Sequence, residues 1–369
     1  MDQVSSLYIH FPFCRHLCNY CDFYKHKLVG TAQISEFELK VLEQLDQNKI
    51  FLSKNKMEIA PLKSLYIGGG TPSLWSLSGA NFINENIINK YGLEKDCEFT
   101  IEIDPGTWTP EEVDRWVEIG ANRFSIGVQS FDKNFLPILD RAHTMEEAIE
   151  LLDFLGSRDY NYSIDLMLGL PFSEKENRDI EKEIDALIPY KPSHFSVYIL
   201  KCRSNYPHIE SLPTEDYIAD EYLKTCEHLS CKGFEQYEVS NFAKNKSFSR
   251  HNLKYWNYES VACLGANATG LLYNRETAVR YQWKAVGIGL TEELIEGSSL
   301  EIEKIYMKLR ASKKLTIDYF KGKNREAFVK LCDAWQKKGY LLMAPEQGIC
   351  LSPKGYLLLD SLMDISSEI

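Results

Sequence analysis

The sequence lacks a long uncharged apolar run and any surplus of basic residues. No stretch approaches the ~18 apolar residues of a membrane-spanning helix, and positions 1–7 show no basic segment leading into an apolar one. Acidic residues outnumber basic ones by 53 to 42, so the overall field repels a phosphate backbone. We therefore predict a cytoplasmic protein with no membrane span and no nucleic-acid partner.

Marks of disorder and of a disulfide framework are also absent. Hydrophobic residues make up 44% and charged residues 26% of the 369 positions, which is ordinary for globular proteins. A long chain without a secretion signal favours reduced thiols or metal ligands for its ten cysteines. Seven of them are dispersed, and we expect these to be small buried apolar side chains. They are Cys97, Cys202, Cys226, Cys231, Cys263, Cys332 and Cys350.

Runs rich in β-branched and aromatic residues alternate with helix-period stretches through the first two hundred positions. The predicted strands are 7–11, 64–67, 99–103, 123–128, 163–167 and 194–199. The predicted helices are 35–48, 77–91, 110–119, 144–155 and 174–187. Such alternation predicts right-handed βαβ units and a parallel sheet, closed or partly closed into a barrel. Thr109 and Thr144 are predicted N-caps, the second in a capping box with Glu147.

The alternation ends after Pro213, and the remaining chain divides into two parts. Residues 213–297 are predicted to form a helix over 214–231 and then an irregular, aromatic-rich connecting region. Residues 298–369 are predicted to form a winged-helix-like domain, with helices and a small hairpin over 340–344 and 348–351. The predicted fold class is therefore α/β: a partial (β/α)6 barrel over 1–212 with a mostly helical C-terminal domain.

Three clustered cysteines follow the first predicted strand. Cys14, Cys18 and Cys21 have the spacing CxxxCxxC, in a loop at the carboxyl end of a strand, where barrels place their chemistry. Three thiolates fill three corners of a [4Fe-4S] cube and leave one iron open to a small chelating molecule. Zinc is the alternative metal, although a structural zinc site takes four closed ligands. A plain cysteine-rich loop is the third interpretation.

This motif, with its preceding strand, resembles the signature of the radical S-adenosylmethionine superfamily. The resemblance implies that the amino and carboxylate groups of S-adenosylmethionine chelate the open iron. It also implies reductive cleavage to a deoxyadenosyl radical, fed by a reductant such as flavodoxin or ferredoxin. The run 68–72, Gly-Gly-Gly-Thr-Pro, resembles the family motif that receives the methionine amino group. Its glycines allow a ligand to approach the backbone closely, and a tight turn is the plainer interpretation.

Polar residues near the carboxyl ends of the next strands form the second part of the predicted cofactor site. Asp165 lies within an apolar strand, where a charge is costly unless it binds a ligand or pairs, for example with Arg141. By resemblance to the coproporphyrinogen-dehydrogenase-like branch, the cofactor-contacting positions are Tyr8, Tyr20, Gly69, Gly70, Thr71, Glu102, Gln129, Arg141 and Asp165. That branch also accommodates a second S-adenosylmethionine. It would lie at Gly70, Thr71, Gln129, Arg141 and Asp165.

Two features resemble the HemW-type haem chaperones of that branch more than its oxidative decarboxylase. Phe23 stands where the decarboxylase carries a further cysteine, and only thirteen residues precede Cys14, where it carries a long extension. The segment 251–256 reproduces the HNxxYW pattern of HemW-type proteins. This resemblance implies haem binding and delivery to an acceptor protein. The alternatives are a coproporphyrinogen III dehydrogenase, a radical methyltransferase or a haem-degrading enzyme.

The HNxxYW segment supplies the candidate haem contacts His251, Asn252, Tyr255 and Trp256. A histidine imidazole is a natural axial ligand of haem iron, and the two aromatic rings offer flat surface to a porphyrin. A histidine packed among aromatic rings is the alternative. The chain also departs from the HemW-type pattern. Positions 264–269 replace a glycine-rich run ending in Ala-His-Ser, and Asp140 replaces a glycine.

Overall fold

The computed structural model describes residues 1–287, 289–312, 315–319, 322–342 and 348–366. Its strands are β1 (Asp2–Phe11), β2 (Phe13–Cys14), β3 (His26–Lys27), β4 (Met57–Gly69), β5 (Leu93–Ile103), β6 (Arg123–Gln129), β7 (Tyr162–Leu168), β8 (His194–Ile199), β9 (Glu235–Gln236), β10 (Asn241–Ala243), β11 (Ala262–Leu264), β12 (Thr269–Tyr273), β13 (Ala278–Trp283) and β14 (Leu290–Ile295). Its α-helices are α1 (Thr31–Lys54), α2 (Ser76–Ile83), α3 (Asn89–Tyr91), α4 (Pro110–Glu118), α5 (Phe135–Ile138), α6 (Met145–Ser157), α7 (Ile180–Leu187), α8 (Glu215–Cys231), α9 (Arg250–Trp256), α10 (Gly297–Leu309), α11 (Gly322–Lys337), α12 (Pro353–Leu357) and α13 (Leu359–Ser366).

Nine strands form one sheet in the order β11-β1-β4-β5-β6-β7-β8-β10-β9. From β11 to β8 every neighbouring pair is parallel, and β10 and β9 extend the far edge in antiparallel fashion. All six predicted strands are present, and helices connect them in sequence. The structure therefore confirms the α/β partial barrel. Among the described residues, β11 and β9 are the two edges of this sheet and do not pair with each other, so the barrel is partial.

Side chains alternate along these strands between an apolar and a polar face. In β1, Phe11 packs edge-on against Phe37 of α1, with ring centroids 5.4 Å apart. Its neighbour His10 points the other way and lines a cavity. Strand β7 repeats the pattern, since Ile164 is fully buried in the apolar core while Asp165 lines a cavity. The helices thus cover the apolar face, and the barrel interior collects polar groups.

The two predicted N-caps lie at helix starts in the structure. The hydroxyl of Thr109 accepts from the Glu112 amide at 3.3 Å, and Thr144 and Glu147 form the predicted capping box. The predicted helix 174–187 begins only at Ile180. The reason is local, because the Asp179 carboxylate accepts from the Lys182 amide at 3.0 Å and caps the helix there. The predicted helix 77–91 is interrupted by a π-helical turn at Asn84–Ile88.

The prediction of an irregular region after α8 was wrong. Strands β10 and β11 belong to the main sheet, the HNxxYW segment forms α9, and β12, β13 and β14 form a second, antiparallel sheet. Strands β10 and β11 are buried but only three residues long, and β12, β13 and β14 are partly exposed, so none of them shows the long apolar run of a central parallel strand. The dispersed cysteines are also less uniform than expected. Cys231 is exposed and Cys202 is half-buried, whereas the other five are buried.

A smaller apolar cluster holds the C-terminal helices together. It contains Leu309, Phe328 and Trp335 with Leu341 and Leu351, which pair in an antiparallel bridge. Part of the predicted hairpin, 343–347, lies outside the described residues, and the winged-helix likeness stays a prediction. Within the described ranges, no helix combines the length and apolar character that crossing a bilayer requires.

Candidate functional site

The three clustered cysteines line one small cavity beside the end of β1. Its volume is about 50 Å³, and Cys14, Cys18 and Cys21 all border it as free thiols. Burial raises the pKa of the Cys14 thiol to about 11, so a metal must displace its proton. Among the described residues, no three His, Cys, Asp or Glu side chains are close enough to hold a single ion. Three thiols around a cavity fit the three protein-bound corners of an iron–sulfur cube.

The glycine turn after β4 packs directly on the cysteine loop. The amide of Gly70 donates to the Phe11 carbonyl at 2.7 Å, and the amide of Thr71 donates to the Phe13 carbonyl at 2.8 Å. A Cβ on Gly70 would lie 2.6 Å from the Phe13 carbonyl oxygen and 3.0 Å from the Cys14 sulfur. Glycine is therefore required here for close contact with the cysteine loop.

A larger cavity, which we call the polar cavity, adjoins the cysteines at the carboxyl ends of β4 to β8. Its volume of about 380 Å³ lies within the usual range of small-molecule pockets. Eight of the nine residues predicted to contact S-adenosylmethionine line it: Tyr20, Gly69, Gly70, Thr71, Glu102, Gln129, Arg141 and Asp165. Cys21 also borders the cavity. The ninth residue, Tyr8, lines a different cavity.

Arg141 is held in the polar cavity by an ion pair with Asp104. The guanidinium contacts the Asp104 carboxylate, donates to the Gly127 carbonyl at 2.8 Å and lies 3.9 Å from the Cys18 sulfur. Burial alone raises the pKa of Asp104, but Arg141 and His143 outweigh it and lower that pKa to about 2. Burial raises the pKa of the Cys18 thiol, and the positive charge of Arg141 offsets part of that rise.

Arg141 pairs with Asp104 and not with Asp165. The Asp165 carboxylate accepts its hydrogen bonds from serine hydroxyl groups instead. Ser125 donates to its carboxylate at 3.0 Å, and Ser163 does so at 3.2 Å. Burial nevertheless raises the pKa of Asp165. The sequence suggested an ion pair between Asp165 and Arg141, and the structure replaces it with Asp104 as the partner.

Glu102 lines the polar cavity and is held by two hydrogen bonds. Its carboxylate accepts from the Tyr66 hydroxyl at 2.8 Å and from the Gly69 amide at 3.0 Å. Burial raises the pKa of Glu102 to about 7, so this carboxyl exchanges a proton near neutrality and suits a cationic ligand group. Sequence reasoning missed Tyr66 and Ser125. Each lies on the interior face of its strand, in the same alternation as Glu102 and Asp165.

Two backbone positions near the cavities adopt left-handed conformations without being glycine. Gln129 has φ +68° at the end of β6, and Asp140 has φ +53° before Arg141. The left-handed conformation at Asp140 is one that glycine adopts freely and aspartate tolerates. It therefore explains how aspartate can replace the glycine of the HemW-type pattern at this position. The Asp140 carboxylate also lies 2.9 Å from the His16 imidazole, which connects the cysteine loop to the segment that carries Arg141.

A second cavity of about 350 Å³, which we call the aromatic cavity, adjoins the polar cavity. Both are bordered by Asp22 and Phe23. The other residues that line the aromatic cavity are Tyr8, His10, Tyr24, Tyr255, Asn267, Ala268 and Thr269. They lie on β1, between β2 and β3, on α9, and in the segment from β11 to the first residue of β12. Tertiary packing alone brings them together.

The four predicted haem contacts are not gathered at one place. Tyr255 lines the aromatic cavity, whereas the Trp256 indole donates to Glu238 at 2.8 Å and lies beneath the Arg310 guanidinium. Asn252 is half-buried on the same short helix. The HNxxYW segment therefore contributes one side chain to a cavity and uses another to dock α9.

His251 lies in the interior, with only 1% of its surface exposed. Its Nδ1 is 2.9 Å from the Ser64 hydroxyl, and its ring centroid lies 6.4 Å from that of Tyr8 and 5.2 Å from that of Tyr66. Burial lowers the pKa of His251 to about 3. This geometry favours the packed histidine of the two alternatives. Ligation of haem iron by His251 stays a prediction that needs the surrounding rings to move.

Comparison with known proteins identifies the family. Residues 8–184 match the radical SAM superfamily. The chain is 30% identical to a protein named heme chaperone HemW from Lactococcus lactis, over 90% of this chain and 88% of that protein. It is 35% identical to heme chaperone HemW from Escherichia coli, over 72% and 69%. The chain belongs to the HemW family of radical SAM proteins.

A solved structure supports the fold of this HemW-family chain. The structure of the radical SAM enzyme coproporphyrinogen III oxidase, HemN, from Escherichia coli superposes with a TM-score of 0.78 at 19% identity. The alignment covers 99% of this chain and 90% of that one. Agreement over nearly the whole length shows that the accessory regions, as well as the barrel, share that fold.

Proposed function

We propose that this chain is a haem chaperone of the cytoplasm. It holds a [4Fe-4S] cluster on Cys14, Cys18 and Cys21, binds S-adenosylmethionine in the polar cavity and delivers haem to an acceptor protein. One observation carries the proposal: the thiols, the polar cavity and the aromatic cavity adjoin one another at one end of the barrel. The names of the HemW relatives support the haem part.

The residues around the thiols suit an anionic cluster. Three thiolates supply three of the four ligands of a cubic cluster, which in turn supplies an open iron and accepts single electrons. Arg141 places a permanent positive charge near Cys18, which offsets part of the negative charge that three thiolates bring. We infer that a flavodoxin or ferredoxin serves as reductant.

The polar cavity suits the amino-acid end and the sulfonium of S-adenosylmethionine. Glu102 and Asp165 offer carboxyl groups to cationic atoms, and Arg141 offers a guanidinium to a carboxylate. Cys21 and the Gly69–Thr71 backbone line the same cavity as these groups. Because Asp104 already holds Arg141 in place, little side-chain freedom is lost when a ligand binds.

Anaerobic reconstitution followed by two titrations tests the proposal. Iron and sulfide analysis should give one four-iron cluster per chain, and absorbance titration should show saturable uptake of haem. Failure to bind haem at micromolar concentration would overturn the chaperone function. Appearance of protoporphyrinogen on incubation with coproporphyrinogen III, S-adenosylmethionine and a reductant would favour the decarboxylase instead.

A further inference from the structure

We infer that Lys201 and Arg203, in the segment that follows β8, bind the two propionate groups of haem while its ring lies against Phe23. This inference rests on the proposed function, because it states which groups of the chain recognise haem. The class of ligand that it predicts is a flat macrocycle with two carboxylates on one edge.

The segment after β8 is fixed by buried side chains and presents its two cations to solvent. Leu200 and Tyr206 are buried in one apolar cluster. The Leu200 amide donates to the Leu168 carbonyl at 2.9 Å, and the Tyr206 amide donates to the carbonyl of Arg203 at 3.0 Å. Lys201 and Arg203 are exposed between these anchors. Because the backbone is already held, a ligand on these cations orders little more than two side chains.

Both cations lie where the polar cavity and the aromatic cavity meet. Lys201 lines the polar cavity together with Asp22 and Phe23, and the latter two also line the aromatic cavity. Nε of Arg203 is 2.5 Å from the Asp22 carboxylate, which places the guanidinium at the same border. Within the described chain Lys201 belongs to no ion pair, so its ammonium group is available to an anionic ligand.

The charges at this border favour an anion. Lys201 and Arg203 outnumber the single Asp22 carboxylate there, although the whole chain carries a net charge of −11. A local excess of positive charge on an acidic protein directs an anionic ligand to that place.

The other carboxyl groups that line the polar cavity oppose an anion only weakly. Asp104 is paired with Arg141. Burial raises the pKa of Glu102 to about 7, so this carboxyl is only partly ionised near neutral pH. Asp165 already accepts hydrogen bonds from two serine hydroxyl groups. The two cations after β8 therefore keep most of their attraction for a carboxylate.

Two exposed rings beside the cations suit a flat macrocycle. Phe23 has 69% and Tyr198 has 42% of its surface exposed, and both line the polar cavity. Aromatic rings pack favourably on the face of a porphyrin. The two propionates of haem leave from one edge of its ring, and the two cations are two residues apart in an exposed segment. Contacts to exposed cations are weak and screened by salt, which suits a ligand that must be released.

The test compares haem with haem dimethyl ester, whose esterified propionates carry no charge, in titrations of the anaerobically reconstituted chain. The unchanged chain should bind haem at least about tenfold more tightly than the ester, and added salt should weaken the binding of haem alone. This comparison needs no variant.

Variants then assign the effect to residues. Lys201→Met and Arg203→Gln should each weaken haem binding about fivefold and leave ester binding unchanged. Lys191→Met is the matched control, because Lys191 is an exposed cation at the opposite end of β8, and it should keep the affinity for haem. Protoporphyrin IX without iron should depend on Lys201 and Arg203 as haem does, since the carboxylates and not the iron make these contacts.

The outcomes separate the propionate contacts from the function. If the unchanged chain binds no haem, the proposed function fails and this site fails with it. If it binds haem and the ester equally well, or if Lys201→Met and Arg203→Gln bind haem as the Lys191→Met control does, haem binding stands and the propionate site is overturned.

Discussion

The polar cavity and the aromatic cavity share a border at Asp22 and Phe23 but are built differently. The polar cavity is lined by strand ends whose charged groups already have partners, since Arg141 pairs with Asp104 and Asp165 accepts from Ser125. The aromatic cavity is assembled from segments far apart in the chain and has an exposed ring at its edge. In our account the first retains a polar cofactor in a fixed geometry, and the second carries a flat ligand that must be released.

Removing the three thiols should produce the largest difference between ligand binding at the cluster site and ligand binding in the aromatic cavity. With Cys14, Cys18 and Cys21 replaced by alanine, bound iron should fall to background, because no other part of the proposed site supplies thiolates. Ferric haem uptake should remain. Iron analysis and haem titration measure the two effects, and Cys231→Ala, an exposed cysteine, is the control. Unchanged iron content, or stoichiometric zinc in the unchanged chain, would contradict the cluster assignment.

Breaking the Arg141–Asp104 pair should disturb the polar cavity alone. Asp104→Asn leaves a largely buried guanidinium without its counter-charge, so the free energy of unfolding should fall by about 3 kcal/mol. S-Adenosylmethionine should bind more weakly, while haem affinity stays the same. Denaturant unfolding and ligand titration measure this. Asp159→Asn removes an exposed pair with Lys191 and should leave stability unchanged, and an equal loss in both variants would contradict the account.

Glu102 should make stability depend on pH. Its pKa is about 7 in the folded chain against 4.5 ordinarily, so the folded state binds more protons than the unfolded state between these values. The free energy of unfolding should therefore fall as pH rises through this window, by up to about 1.4 kcal/mol per pH unit. Glu102→Gln should remove that part of the slope.

Denaturant unfolding at several pH values measures this slope. Glu238, outside the polar cavity, also has a pKa raised to about 7 by burial, so Glu238→Gln should remove a separate part of it. Only Glu102→Gln should change the pH dependence of S-adenosylmethionine binding. An unchanged slope in Glu102→Gln would show that this carboxyl ionises normally.

Removing one aromatic ring from the aromatic cavity should have the smallest effect on ligand binding. Tyr255→Leu removes one aromatic surface and should weaken haem binding by about 1 kcal/mol, roughly fivefold in Kd. S-Adenosylmethionine binding should not change. Parallel titrations with the two ligands measure this. A comparable loss of S-adenosylmethionine affinity would show that the two cavities act as one.

The residues that line the polar cavity could be grouped from the sequence because they follow strands in short motifs, and their contact with S-adenosylmethionine stays a prediction. The strand 194–199 agrees with β8 in both bounds, since a buried parallel strand reads as an apolar run bounded by turn residues. The cysteine loop and the glycine turn lie next to such runs, and Asp165 interrupts one. Carboxyl ends of parallel strands meet at one edge, so these groups come together.

The aromatic cavity could not be predicted in the same way. Tyr8 and Tyr255 are distant in sequence, and only the position of α9 against the barrel brings them together. The burial of His251 depends on the same packing. The choice of Asp104 as the partner of Arg141 depends instead on how the segments after β5 and α5 meet within the barrel. The strands β12, β13 and β14 were missed because partly exposed antiparallel strands have a weak apolar signal.

Titration with ferric haem, in the presence and absence of saturating S-adenosylmethionine, tests the two-cavity account most directly. The account predicts one haem per chain with the same Kd in both titrations, because each ligand has its own cavity. Displacement of haem by S-adenosylmethionine in a competitive manner would contradict it.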